Sequence, residues 1–139
     1  MAVKKRESRL SQLIQKNCKN IHFTRIESKT INGIPDLNCC AEGIEFWMEL
    51  KSDKVKYPKL SKWQIRWINK RIKNGGGVII CNQPLLDSRL ELYRPVTVFT
   101  DPRTLGPSLS FSFPYHWPTF RRQLLQLATQ RTREARSRS

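Results

Sequence analysis

The chain has 139 residues and a formal net charge of +15, which suits one basic domain with a single core. This charge excess favours a polyanionic partner, with nucleic acid ahead of an anionic membrane surface. No apolar run approaches the roughly 20 residues that span a bilayer, and the basic N-terminus continues into polar residues without the apolar stretch of a secretory signal. The sequence therefore argues against a membrane protein and predicts a cytoplasmic location.

In the first half of the chain, the hydrophobic pattern predicts a helix, a strand, a two-stranded hairpin and a basic loop. Leucine and isoleucine recur at helical spacing among lysines and arginines in the first segment, and apolar and polar residues alternate in the second. Glu42-Gly43 separates the two hairpin runs and is expected to form a two-residue turn. The predicted segments are residues 5–18, 21–26, 36–41 paired with 44–51, and 52–60.

The second half begins with the clearest helix signal, because Ser61 and Gln64 form an S-x-x-Q capping box ahead of an apolar stripe. Trp63 and Trp67 continue that stripe, which favours core packing over stacking on unpaired bases. Pro118 opens a last amphipathic helix. The predicted segments are a helix at 61–74, strands at 78–82 and 90–94, an edge strand near 109–113, and the last helix.

Composition divides the chain into a core, a proline-rich extension whose terminal helix packs on that core, and a disordered basic tail. These parts correspond to residues 1–94, 95–130 and 131–139. Cys39, Cys40 and Cys81 lie in apolar runs and are predicted to be reduced core residues. The sequence has no C-x-x-C pair and gives no reason to expect a zinc site.

The hairpin brings two carboxylates together. With a two-residue turn at 42–43, paired residue numbers sum to 85, so Asp36 is expected to face Glu49 across the hairpin. Lys51 lies two residues beyond Glu49 and shares its face. The other face of this hairpin is entirely apolar, which fixes the same register independently, since a one-residue slip would bury the charges. Its members are Leu37, Cys39, Ala41, Ile44, Phe46, Met48 and Leu50.

Opposed carboxylates repel each other, and a divalent cation would remove that repulsion. Mg²⁺ binds through one or two carboxylates, keeps several waters, and can activate a nucleophile at a phosphoryl centre. Lys51 can position the attacking water or stabilise developing charge. An isolated Glu-x-Lys is usually a solvated charge pair. Its placement opposite Asp36 in a very basic chain favours a catalytic site instead.

These residues resemble the signature of the PD-(D/E)XK nucleases. The resemblance is carried by Gly33-Ile34-Pro35-Asp36 and by Glu49-Leu50-Lys51, with the spacing of one hairpin. Ser61-x-x-Gln64 on the next helix, followed by Val78-Ile79-Ile80, is similar to the VRR-NUC branch and to Holliday-junction resolvases. The resemblance covers residues 5–82 and does not extend to residues 95–139.

The resemblance implies an α/β restriction-endonuclease-like core, with a central mixed sheet flanked by helices. It implies Mg²⁺ or Mn²⁺ held by Asp36, Glu49 and the carbonyl of Leu50, with Lys51 acting on the nucleophile. It also implies a catalytic, metal-binding role for Glu7 in the first helix, where a favourable charge in a first helical turn is an equal explanation. Gln64 is implied to lie beside the site, and its capping role is compatible with this.

Basic residues follow the hairpin closely and are predicted to contact phosphates. The alternative is a solvated helix face, which the lack of matching acidic residues makes less favourable. The residues are Lys54, Lys56, Lys59, Lys62, Arg66 and Lys70.

The sequence therefore predicts a metal-dependent DNA endonuclease, with branched, flapped or nicked DNA as candidate substrates. The alternatives are a non-catalytic nucleic-acid-binding protein that retains the fold, and a small basic assembly protein. Dependence on Mg²⁺ distinguishes the enzyme from a pure binder. Cutting both strands usually needs two sites, which favours a homodimer. The small size suggests a phage or mobile element, for which the location would be the host cytoplasm.

Overall fold

The computed structural model describes residues 3–28, 30–84 and 88–130, with only the backbone described at residues 3 and 4. Three α-helices and six β-strands form the described part, and one turn of 3₁₀ helix, Pro102–Thr104, lies between the last two strands. In chain order these are α1 Val3–Asn17, β1 His22–Arg25, β2 Leu37–Ala41, β3 Ile44–Lys51, α2 Lys62–Lys73, β4 Val78–Asn82, β5 Arg89–Tyr93, β6 Leu109–Ser112 and α3 Trp117–Ala128.

The strands form one sheet whose spatial order is the same as their order in the chain, β1 to β6. Every neighbouring pair is antiparallel except β3 and β4, which run parallel. The crossover between these two parallel strands is α2. The predicted α/β class, with a mixed sheet flanked by helices, is confirmed. β6 lies at an edge of the sheet, as its alternating pattern predicted.

The two faces of the sheet are covered by different helices. α1 and α3 pack on one face, where the apolar side of the hairpin is buried beneath them, and α2 packs on the other. Phe46, Met48 and Leu50 of β3 are at most 1% exposed on the first face. On the second face, Trp47 packs under α2 beside Val78 and Ile80. The strand alternation therefore gives β3 two different environments.

The hairpin turn has the geometry that a two-residue connection requires. Glu42 and Gly43 adopt φ values of 52° and 78°, and positive φ at both central residues is the mark of a type I′ turn. Ala41 pairs with Ile44, and the register continues to Leu37 opposite Met48. The predicted register is confirmed over the whole of β2.

The predicted capping box of α2 is also confirmed, because Ser61 accepts from the Gln64 amide and Gln64 accepts from the Ser61 amide. The prediction that Trp63 packs in the core is wrong, since its side chain is 41% exposed. Trp67, one turn later, does pack against Trp47, with ring centroids 5.2 Å apart. Gln64, Ile68 and Ile72 follow one another at four-residue spacing and face the sheet. Trp63 lies beside this row, whereas Trp67 has the Trp47 ring against it.

Cys39 and Cys81 are buried as predicted, whereas Cys40 is exposed. Strand alternation turns Cys40 away from the core that holds Cys39, and its neighbours His22 and Glu45 on the adjacent strands are exposed as well. Residues 131–139, predicted to be a disordered tail, lie outside the described residues. Within the described part of the chain, no helix has the length and apolar character needed to cross a bilayer.

Candidate active site

The predicted site residues converge at the C-terminal end of β3, on the face that α2 covers. Glu49 is 2% exposed and Lys51 is 8% exposed, so neither belongs to a solvated surface pair. Asp36 is partly buried and lies immediately before β2, the strand next to β3. Buried charged groups are rare unless they are paired or bind a metal, which makes this strand end the first place to look for function.

Asp36 is held in place by its backbone and its side chain. Its carbonyl oxygen accepts a hydrogen bond from the Ile26 amide at 2.8 Å, which extends the β1–β2 pairing by one step. Its Oδ2 accepts from the Leu50 backbone amide, also at 2.8 Å. The carboxylate thus reaches across to β3 between Glu49 and Lys51, close to the position that the register predicted. The contact described at Leu50 involves its amide, while the resemblance implied its carbonyl.

Glu49 is a strongly perturbed group of the site. Burial raises the pKa of this carboxyl well above its usual range, and the adjacent negative charge of Asp36 raises it further. The positive charge of Lys51 lowers this pKa, while the close approach of the Asp36 carboxyl again favours the protonated form of Glu49. The two carboxyl groups therefore interact directly, as expected of acids opposed across a hairpin.

The two oxygens of Glu49 have different surroundings. Oε1 accepts a hydrogen bond from Nε2 of Gln64 at 2.6 Å. Oε2 is buried and has no hydrogen-bond partner among the described residues. A buried carboxylate oxygen without a donor is costly, and such an atom is explained when a ligand completes its coordination.

Gln64 has both of the roles that the sequence allowed. Its side-chain oxygen accepts from the Ser61 backbone amide at 2.9 Å, which closes the capping box. Its side-chain nitrogen donates to Glu49 across 15 residues of chain. One amide therefore fixes the start of α2 and orients the buried carboxylate.

Gly33 explains how the segment before Asp36 approaches α2. Its φ is +81°, a conformation that side-chain-bearing residues rarely adopt, and a Cβ atom here would overlap the carbonyl of Trp63. The backbone of this loop thus lies directly on the first turn of α2, next to Gln64. Only glycine permits that approach, which ties the Asp36 loop to the helix that carries Gln64.

Glu7 lies near the same site although it belongs to α1. Partial burial raises the pKa of Glu7 to about 7; the positive charge of Lys51 lowers it, and the negative charges of Asp36 and Asp53 raise it. Arg6 donates through Nε to the Ser52 carbonyl at 2.7 Å, which attaches the start of α1 to the end of β3. Glu7 is thus within electrostatic reach of the predicted site residues.

The sequence reasoning missed Asp53, which interacts electrostatically with Glu7. Its Oδ1 is buried and has no hydrogen-bond partner among the described residues. Asp53 lies in a stretch whose lysines and proline predicted only a loop. The available signal was the spacing, because Glu49, Lys51 and Asp53 continue the same alternation past the end of β3.

The donor set for a metal ion is small. Across the described ranges, no three histidine, cysteine or acidic side chains lie close enough to form a ligand cluster by themselves. The carboxylates of Asp36 and Glu49 interact with each other, and Glu7 interacts electrostatically with both. Hard carboxylate oxygens of this number suit Mg²⁺ or Mn²⁺, which retain water ligands, and they do not form an all-protein cage. The unpartnered Oε2 of Glu49 fits such a ligand.

All six predicted phosphate-binding residues are exposed. Lys62, Arg66 and Lys70 line one groove along the outer side of α2, whose opposite wall contains Phe99. That wall is fixed by Asn69, whose side chain donates to the Phe99 carbonyl at 2.6 Å and accepts from the Phe99 amide at 3.0 Å. Lys73 also lines this groove and was not predicted. Lys54, Lys56 and Lys59 lie on the loop between β3 and α2, outside the groove wall.

No protein-family model matches this chain, and comparison with curated proteins yields no significant match.

Proposed function

We propose that this protein is a divalent-metal-dependent endonuclease that hydrolyses phosphodiester bonds in DNA, with a restriction-endonuclease-like core of the PD-(D/E)XK type. The observation that carries the proposal is the buried Glu49 carboxyl, with a raised pKa, an unpartnered oxygen and Asp36 beside it. A structural role does not explain why a chain with 26 lysines and arginines would bury Glu49 against a second, partly buried acid.

Asp36 and Glu49 would hold Mg²⁺ or Mn²⁺, with the Leu50 carbonyl and Glu7 as the further ligands that the resemblance implies. When bound, such a cation supplies Lewis-acid polarisation of a phosphoryl oxygen. Gln64 keeps Glu49 oriented through its 2.6 Å hydrogen bond. Lys51 presents an ammonium group on the same face, where it would position the attacking water and stabilise the charge that develops on the phosphate.

The net charge of +15 and the cationic groove along α2 support DNA as the partner, because they neutralise phosphates without reading sequence. We include the homodimer and the cytoplasmic location in the proposal as predictions from the sequence. The competing proposal is a DNA-binding protein that has kept the fold without activity. It is favoured by the absence, among the described residues, of a three-ligand cluster.

The decisive experiment incubates the protein with labelled linear, single-stranded, flapped and four-way-junction DNA in Mg²⁺, Mn²⁺ or EDTA. Asp36→Ala and Lys51→Met are compared with Glu45→Ala, an exposed acid on the same face of β3. We expect metal-dependent cutting that both site variants lose and the control retains. Metal-independent binding without cutting, equal in all four proteins, would establish the non-catalytic alternative.

A further inference from the structure

Trp63 is exposed at a position where the sequence predicted a core residue. Its side chain is 41% accessible, whereas Trp67 packs against Trp47 at 5.2 Å. A large aromatic ring in solvent forgoes the free energy of burial, on the order of 2 kcal/mol for a side chain of this size. The exposed ring is therefore accessible to a ligand that stacks on it.

Two cations flank this ring. The Lys62 ammonium lies 5.1 Å and the Arg66 guanidinium 5.0 Å from its centre. No carboxylate of the described residues forms an ion pair with either group. Both side chains are exposed on long stems, so each can move from the ring to an incoming anion at little cost. The surface thus combines an aromatic face with two anion-binding groups.

The backbone of Trp63 is fixed relative to the candidate active site. The next residue, Gln64, donates to Glu49, and the Trp63 carbonyl packs against Gly33 in the loop that leads to Asp36. The capping box holds the same turn of helix. The backbone that carries the indole is therefore held beside the candidate active site, on a rigid element.

We infer that Trp63 is a stacking platform for an unpaired base of the DNA, adjacent to the phosphodiester bond that is cut. A nucleotide offers both an aromatic face and a phosphate, so a single ligand satisfies the ring and its two cations. Bases inside a duplex are already stacked on their neighbours, and only an overhang, flap or frayed end presents a free face. The choice of DNA as ligand rests on the proposed function.

The test measures DNA binding in EDTA, so that its outcome does not depend on cleavage. The probes are a blunt duplex and the same duplex with a short single-stranded overhang that carries the fluorescent base 2-aminopurine. Wild type is compared with Trp63→Leu, which stays apolar but has no ring, and with Trp63→Phe, which keeps a ring. Phe113→Leu is the matched control, because Phe113 is 68% exposed next to β6, three strands away from β3.

We expect wild type to bind the overhang about tenfold more tightly than the blunt duplex, a typical contribution of one base–aromatic stack. Trp63→Leu should lose this preference and the quenching of 2-aminopurine, while Trp63→Phe and Phe113→Leu retain both. Equal affinity of wild type for the two DNAs would overturn the inference. The inference would also be overturned if Trp63→Leu weakened binding to both DNAs by the same factor while the melting temperature of the protein stayed unchanged.

These results separate the two proposals. A Trp63-dependent overhang preference without cutting in any metal would sustain the stacking site and refute the nuclease. If the wild-type protein cuts DNA and Trp63→Leu binds the overhang as tightly as wild type, the nuclease is sustained and the stacking site is refuted.

Discussion

At the C-terminal end of β3 both faces of the strand are buried, and they behave in opposite ways. Toward α1 and α3, Phe46, Met48 and Leu50 are at most 1% exposed in an apolar core. Toward α2, Glu49 and Lys51 are 2% and 8% exposed at the end of the same strand. Burying an apolar side chain contributes about 1.5–3 kcal/mol to stability, whereas burying a carboxylate opposes folding unless something compensates its charge. The alternation of one strand thus separates the residues that stabilise the fold from those that can perform chemistry.

The largest effect on stability is expected on the face of β3 that packs against α1 and α3. Phe46→Ala should lower the free energy of unfolding by about 3–5 kcal/mol, because it removes a fully buried ring and leaves a cavity. The loss should be the same with and without Mg²⁺ and at pH 6 and pH 8, since no ionisable group is changed. Denaturant unfolding measures this directly. A loss that Mg²⁺ reverses would show that the two faces are not independent.

Glu49→Gln tests the opposite face with a nearly isosteric change. We expect cleavage to fall by at least about a hundredfold, as for other groups that act on the transition state. Without metal at pH 8, the same variant should melt at a higher temperature than wild type, because the buried acid with a raised pKa is replaced by a neutral amide. Glu45→Gln, exposed on the same strand and face, should change neither property. A lower melting temperature for Glu49→Gln would contradict the cost assigned to this charge.

Glu7 provides a test of how stability depends on pH near the candidate active site. Its pKa is about 7 in the folded protein, against an ordinary value of 4.5, so the folded state retains a proton that the unfolded state has lost. The stabilising contribution is therefore complete below pH 4.5, falls as the pH rises, and is lost above pH 7. Glu7→Gln should make the metal-free decline in stability shallower across this window. Unchanged pH dependence in melts of the variant would show that Glu7 is not linked to folding.

The smallest effect is expected in the cationic groove. Lys70→Ala should reduce the slope of log K against log salt concentration by about 0.9, the value for one lost phosphate contact. Lys16→Ala, exposed on α1 and on the opposite side of the sheet, is the matched control and should leave the slope unaltered. Titration of DNA binding at several salt concentrations measures both slopes. Equal slopes for the two variants would mean that binding reflects net charge alone.

The sequence by itself determined the local geometry of the site. A two-residue turn at Glu42-Gly43 and strict alternation on the apolar face both fix one register, so Glu49 and Lys51 share a face and Asp36 lies at the matching end of β2. The capping box likewise specifies where α2 begins. These features are predictable because turn conformation, pleat and helix capping depend on residues within a few positions of one another.

Only the tertiary structure decided what surrounds that hairpin. The hydrogen bond from Gln64 to Glu49, the approach of Glu7 and the contact of Gly33 with α2 join residues from separate elements. No periodicity encodes such contacts, because they depend on the parallel placement of β4 beside β3 and on where α2 crosses the sheet. The same placement leaves Trp63 exposed and lets Trp67 pack, partly buried, against Trp47, although both belong to one apolar stripe. A helix stripe shows which side is apolar, but the neighbouring elements determine which side chains of that side are covered.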